Sequence, residues 1–272
     1  MKIVLRFHLF VIIAVILLAS SCQLEKLSDP IIIPNNIKKE FYIDLQEYLH
    51  PTNRQLRFLV KTIEAQDCQN STVATDYVSA GREITLSIND IVPPADCVEG
   101  TAPAKTDVFA GKLTNGVYNL EIALRNLVVN NGRLTINDES YTINMETQEG
   151  ITLLHNSLLK IPSDAFWGYI VCKESEWEAL QQELDNKLAD LATPASGIYR
   201  DGYYGFFEIN SNTTNGRNVF LINPPAVTFH FPILYQLSDG LDEARLKSLI
   251  QDFKSDHPDV SMEARNADGR IF

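Results

Sequence analysis

Basic residues are in short supply. The 272-residue chain holds 23 Lys and Arg against 35 Asp and Glu, a formal charge of −12. A polyanion is held by a basic face, so nucleic acid is not an expected partner. Glycine (13) and proline (12) are too few for a collagen-like or broadly disordered chain. The motifs that announce common chemistry are missing too. There is no G-x-x-x-x-G-K-[ST], G-x-G-x-x-G or G-x-S-x-G. No two histidines form an H-x-x-x-H pair, and no histidine neighbours a cysteine at zinc spacing. Ser238-Asp239-Gly240-Leu241-Asp242-Glu243 lacks the alternating oxygen ligands and distal Glu of a calcium loop. Neither a metal nor a cofactor is expected. What is present is a globular composition, 45% apolar and 21% charged, ample for a sizeable core.

The N-terminus is the most informative stretch. Lys2 and Arg6 precede Leu9 to Ala19, an unbroken apolar run of 11 residues. That length fits the h-region of a signal peptide and falls short of a bilayer-spanning helix. Ala19-Ser20-Ser21 supplies small residues, and Cys22 follows at once. The segment resembles the lipobox of bacterial lipoprotein precursors. It departs from the usual pattern in one respect: Leu18 stands one place early, with Ala19 where Leu is commonest. The resemblance implies acylation of the Cys22 thiol and removal of residues 1–21, leaving Cys22 as the first mature residue. Each buried acyl CH₂ contributes roughly 0.8 kcal/mol, so several chains on one cysteine hold a protein firmly to a membrane. Gln23 stands where an Asp signals inner-membrane retention in enteric lipoproteins, so the resemblance points to the outer membrane. Loss of Lys2 and Arg6 leaves 21 basic against 35 acidic residues, a mature charge of −14 that repels anionic lipid surfaces. Ordinary secretory cleavage and an uncleaved anchor are the alternatives.

An exported chain meets an oxidising compartment. Cys68 and Cys97 both lie in polar, turn-rich sequence, and a disulfide between them is the preferred pairing. Cys172 ends the apolar run Trp167-Gly168-Tyr169-Ile170-Val171 and reads as a small buried hydrophobe.

Residues 22–36 read as a lipidated tether in which Pro30 and Pro34 bracket an Ile triplet. From 37 to 162 the period is two. Ile84, Leu86 and Ile88 alternate with polar residues, as do Tyr118, Leu120, Ile122 and Leu124, and Tyr141, Ile143 and Met145. Leu56 to Ile63 fits either period and is assigned to a strand by its surroundings. Asn115-Gly116 suits a turn with positive φ, and Asn131-Gly132 predicts a tight hairpin. The fold class expected is mainly β: an antiparallel sandwich of immunoglobulin-like or transthyretin-like type. From 163 to 272 helices enter. Trp177, Leu180, Leu184, Leu188 and Leu191 share one helical face behind a capping box at Ser175 to Glu178, with Pro194 beyond the end. Leu246, Leu249, Ile250 and Phe253 mark a second helix, stopped by Pro258. With the intervening strands, the order resembles a βαββαβ, ferredoxin-like plait carrying one strand too many.

Two constellations bear on function. Ser157-Leu158-Leu159-Lys160 matches the S-x-x-K nucleophile motif of penicillin-binding proteins, but no S-D-N or K-T-G follows, and it reads as a strand with an exposed Ser and Lys. Tyr199, Tyr203, Tyr204, Phe206 and Phe207 crowd five rings into nine residues. Exposed, such rings bind sugars or peptides by flat apolar contact; otherwise helices and the first domain bury both strand faces. The function expected is a non-enzymatic binding or assembly module on the membrane surface of the cell envelope. Its partners would be the membrane through the anchor, and envelope proteins or glycans. A hydrolase of envelope polymers with a site at the domain interface, and a fimbrial-type subunit, are the alternatives.

Overall fold

A computed structural model describes residues 37–125, 127–195, 197–212, 218–239 and 243–272. Cys22 and the tether lie outside the described residues. Period-two alternation becomes strand throughout the first portion: β1 (Phe41–Tyr48), β2 (Gln55–Cys68), β3 (Thr72–Ala80), β4 (Glu83–Val92) and β5 (Glu99–Phe109). These are followed by β6 (Gly116–Leu124), β7 (Val128–Ile136), β8 (Ser140–Met145), β9 (Ile151–Leu153) and β10 (Ser157–Leu159). The ambiguous Leu56–Ile63 segment lies inside β2, with Leu56, Phe58 and Val60 buried on one face.

These ten strands form one sheet, in the order β10-β8-β7-β6-β4-β3-β5-β2-β1-β9. The mainly β class holds. The immunoglobulin-like or transthyretin-like detail is not confirmed, because hydrogen bonding runs through a single sheet that includes parallel β4–β6 and β1–β9 pairs. The sheet curls until its edges nearly meet. β9 pairs with β1 and β10 with β8, and only residues 154–156 separate β9 from β10. Leu154 N donates to Ile43 O at 2.9 Å, and Ile143 N donates to Asn156 O at 2.8 Å. One short segment thus seals both edges around a core that includes Phe41, Ile43, Phe58, Leu86, Leu120 and Leu134. The disulfide between Cys68 and Cys97 fastens the end of β2 near the start of β5, with Cα atoms 5.3 Å apart. Closing a loop of this length contributes roughly 3 kcal/mol in the loop-entropy picture.

The hairpin expected at Asn131-Gly132 does not form. β7 runs straight through it, and the chain reverses instead just before Val128, where Arg125 adopts φ 47°. Gly132 serves close approach: a Cβ there would lie 2.7 Å from Asn144 O on β8. The adjacent Asn130 is buried and satisfied by Glu149, donating to its carbonyl at 3.0 Å and accepting from its amide at 2.6 Å.

The second portion supplies β11 (Ala165–Val171), α1 (Trp177–Leu188), β12 (Ala192–Pro194), β13 (Gly202–Tyr203), β14 (Phe207–Ile209) and β15 (Val219–Leu221). Then come β16 (His230–Leu237), α2 (Glu243–Asp256) and β17 (Ser261–Asn266). A four-stranded antiparallel sheet has the order β12-β16-β11-β17, and β13-β14-β15 form a third sheet. The expected apolar stripes face inward as Leu180, Leu184 and Leu188 on α1 and Leu246, Ile250 and Phe253 on α2. The capping box at Ser175 does not form. The helix starts at Trp177 with Glu176 as N-cap and no side-chain cap, because a turn from Lys173 to Glu176 precedes it. β11 is buried on both faces. Phe166 and Ile170 join the core under the helices, while Ala165 and Trp167 join a core shared with Tyr204, Phe207, Leu159 and Ile161. Residues 37–272 pack as one unit. No helix among the described residues is long and apolar enough to cross a membrane.

Candidate functional site

The meeting of the curled sheet with the second portion is organised by β1. Phe41, Ile43 and Leu45 enter the curled-sheet core, so Asp44 and Gln46 point to the opposite face. That face is covered as well, and both polar side chains are buried. Asp44 accepts the Tyr203 hydroxyl at 2.7 Å, the Leu45 amide at 2.9 Å and His155 Nδ1 at 3.1 Å. The His155 and Tyr203 rings stack with centroids 3.7 Å apart. Gln46 donates to Gly205 O and accepts from Arg57, its cross-strand neighbour. Glu47 sits on the inner face at the strand's end, 1% exposed. It pairs with Arg54 and accepts the Ile161 amide at 2.8 Å and the Tyr141 hydroxyl at 3.3 Å.

Two clefts open along this line. The larger, about 730 Å³, is lined by Glu47, Arg54, Tyr141, Lys160, Tyr199 and Arg200, among others. Its charged side chains are largely committed to neighbouring groups. Arg54 serves Glu47 and the Ile161 carbonyl, Arg200 pairs with Glu139 at 3.1 Å, and Lys160 Nζ lies 5.0 Å from the Tyr141 ring centre. The smaller, about 240 Å³, lies between Gln46 and Arg57 of the curled sheet and Trp167, Phe206, Glu263 and Arg265 of the second portion.

The five clustered rings divide accordingly. Tyr203, Tyr204 and Phe207 are buried and structural. Tyr199 and Phe206 are half-buried, Tyr199 lining the larger cleft and Phe206 the smaller. Tyr199 donates to Asp164 at 3.0 Å, and Tyr204 donates to Arg200 O at 2.8 Å. Of the S-x-x-K pair, Ser157 is exposed on strand β10 and Lys160 faces the larger cleft, so no helix brings them together. Cys172 is free and packs beside the helical core, where burial first and the Glu176 charge second push its thiol pKa up. Both effects oppose a nucleophilic thiolate.

Asp44 and His155 were not marked by any sequence motif. Asp44 orients the imidazole through Nδ1, the arrangement a general base requires. Among the described residues, nothing hydrogen-bonds His155 Nε2, and no group of three or more His, Cys, Asp or Glu is placed to hold a metal ion. No family model matches the chain, and no curated protein or solved structure matches it.

Two outcomes follow from the paired carboxylates and phenols. Arg54→Met leaves Glu47 buried without its cation, so urea unfolding should show a loss of about 3 kcal/mol. Glu47→Gln should lose less, because the Arg54 side chain is 29% exposed and can turn to water. Equal losses would contradict the assignment. The second outcome concerns alkaline pH. Burial, then the neighbouring carboxylate, raises the phenol pKa of Tyr141 (beside Glu47) and Tyr203 (beside Asp44). The unfolded chain ionises these phenols near pH 10 while the folded chain keeps them neutral. Their stabilisation is complete below about pH 9 and declines as pH rises past about 10. Tyr203→Phe should make that decline shallower in urea midpoints measured from pH 8 to 11.

Proposed function

We propose that this chain is a lipid-anchored protein of the cell envelope, addressed to the outer membrane, whose body works as a non-enzymatic binding or assembly module. The observation that carries the reading is Leu9 to Ala19 followed by Ser20-Ser21-Cys22. Cys22 is the lipidation site and residues 22–36 the tether. Envelope proteins or glycans are the partners, taken up where the curled sheet meets residues 163–272. Support for binding over catalysis comes from the ionisable groups at that junction. Glu47, Arg54 and Asp44 are spent on structural bonds rather than presented to a substrate.

The order β12-β16-β11-β17, with α1 following β11 and α2 preceding β17, supports reading residues 163–272 as a ferredoxin-like plait. The three-stranded sheet is then an insertion between its second and third strands. A fimbrial-type reading would be favoured by a groove open to a donor strand, and the sealing of the curled sheet by residues 151–159 argues against it. Hydrolysis of an envelope polymer is the second reading, and the orientation of His155 by Asp44 is what favours it. Turnover on a polymer panel, lost in His155→Gln, would replace binding with catalysis.

The anchor is tested on protein purified from native membranes. Intact mass should show loss of residues 1–21 with added acyl mass, and Cys22→Ala should move the protein out of the detergent phase. A Cys22→Ala protein that still partitions into detergent would overturn the anchor.

A further inference from the structure

The smaller cleft has a chemical imbalance. Its charged lining is Arg57, Arg265 and Glu263, with Asp107 paired to Arg57, so the imbalance is one of hydrogen-bond donors and not of net charge. Each guanidinium carries five N–H donors. Arg57 uses two of its nitrogens, one on Asp107 at 2.6 Å and one on Gln46. Its Nε is enclosed and has no acceptor. Arg265 spends Nε and Nη2 on Glu263, at 3.3 and 2.9 Å. The Glu263 carboxylate is occupied further by the Tyr169 hydroxyl at 3.3 Å. Donors therefore outnumber acceptors, and the missing partner is an acceptor. With both guanidinium groups already ion-paired, a singly charged carboxylate fits better than a phosphate dianion. Apolar surface adjoins the guanidinium pair: Trp167 and Phe206 form one wall, with ring centroids 5.8 Å apart.

We propose that this cleft binds a small monocarboxylate with a flat apolar body, its charge held by the Arg57 and Arg265 guanidinium groups and its body against Phe206 and Trp167. A planar fork is the geometry that selects a carboxylate. The inference deepens the binding reading above and rests on it, but it is independent of the lipid anchor. Loss of the anchor would leave this site intact, and an empty site would leave the anchor intact.

The test is calorimetric titration of the full chain in detergent micelles with benzoate, and with benzamide as the uncharged probe of the same shape. Benzoate should bind saturably, and benzamide about tenfold more weakly, since a charge-assisted pair is what it lacks. Arg57→Gln should weaken benzoate by about tenfold. Arg265→Gln, at a more exposed position, should also weaken it and serves if Arg57→Gln fails to fold. Benzamide binding as tightly as benzoate, no saturable benzoate binding, or unchanged benzoate affinity in a folded arginine variant would each overturn the proposal.

Discussion

The buried polar row of β1 is the constraint on which the rest of the molecule depends. Asp44, Gln46 and Glu47 stand within four consecutive residues of a strand whose Phe41, Ile43 and Leu45 side chains fill a core. A buried carboxylate costs several kcal/mol unless it is paired and hydrogen-bonded. Here the donors come from several separate parts of the chain: His155 and Tyr203 for Asp44, Arg57 for Gln46, and Arg54, Tyr141 and Ile161 for Glu47. Satisfying one strand therefore fixes the position of the sealing segment, of the hairpin at residues 202–209 and of the chain entering the second portion. Removing any of these elements would leave a buried charge or amide without a partner.

The same requirement locates the clefts. Where the second portion covers β1, side chains committed to pairing cannot also fill space. The larger cleft lies beside the Glu47 and Arg54 pair, and the smaller beside Gln46 and Arg57. In the first, charges cancel one another locally. In the second, Arg57 pairs with Asp107 and Arg265 with Glu263, yet the Arg57 Nε is left without an acceptor, and that surplus of donors is what distinguishes it as a place for a ligand.

Much of the fold was legible because it rests on periodicity. Ile84, Leu86 and Ile88 alternate inward as their spacing implies, and Leu180, Leu184 and Leu188 line one helical face. The Cys68–Cys97 pairing was legible from its turn-rich surroundings. Local turn chemistry misled at Asn131-Gly132, where the needs of Asn130 are met by Glu149 and the glycine is required for approach to β8. The aromatic cluster was visible as a cluster, but which rings are buried depends on packing against β1 and β11. Asp44 and His155, 111 residues apart, carry no joint sequence signal, since their contact follows from the sheet curling until β9 reaches β1. Nor could Arg57 and Arg265 be paired from the sequence, since they lie on strands of different sheets.

Both tryptophans, Trp167 and Trp177, lie in the second portion, whereas most strand residues belong to the curled sheet. Urea unfolding followed by tryptophan fluorescence and by far-ultraviolet circular dichroism therefore reports the two portions separately. If β1 ties them through its buried polar row, the two curves coincide in a single cooperative transition. A fluorescence transition completed at lower urea, with the strand signal intact, would contradict that account.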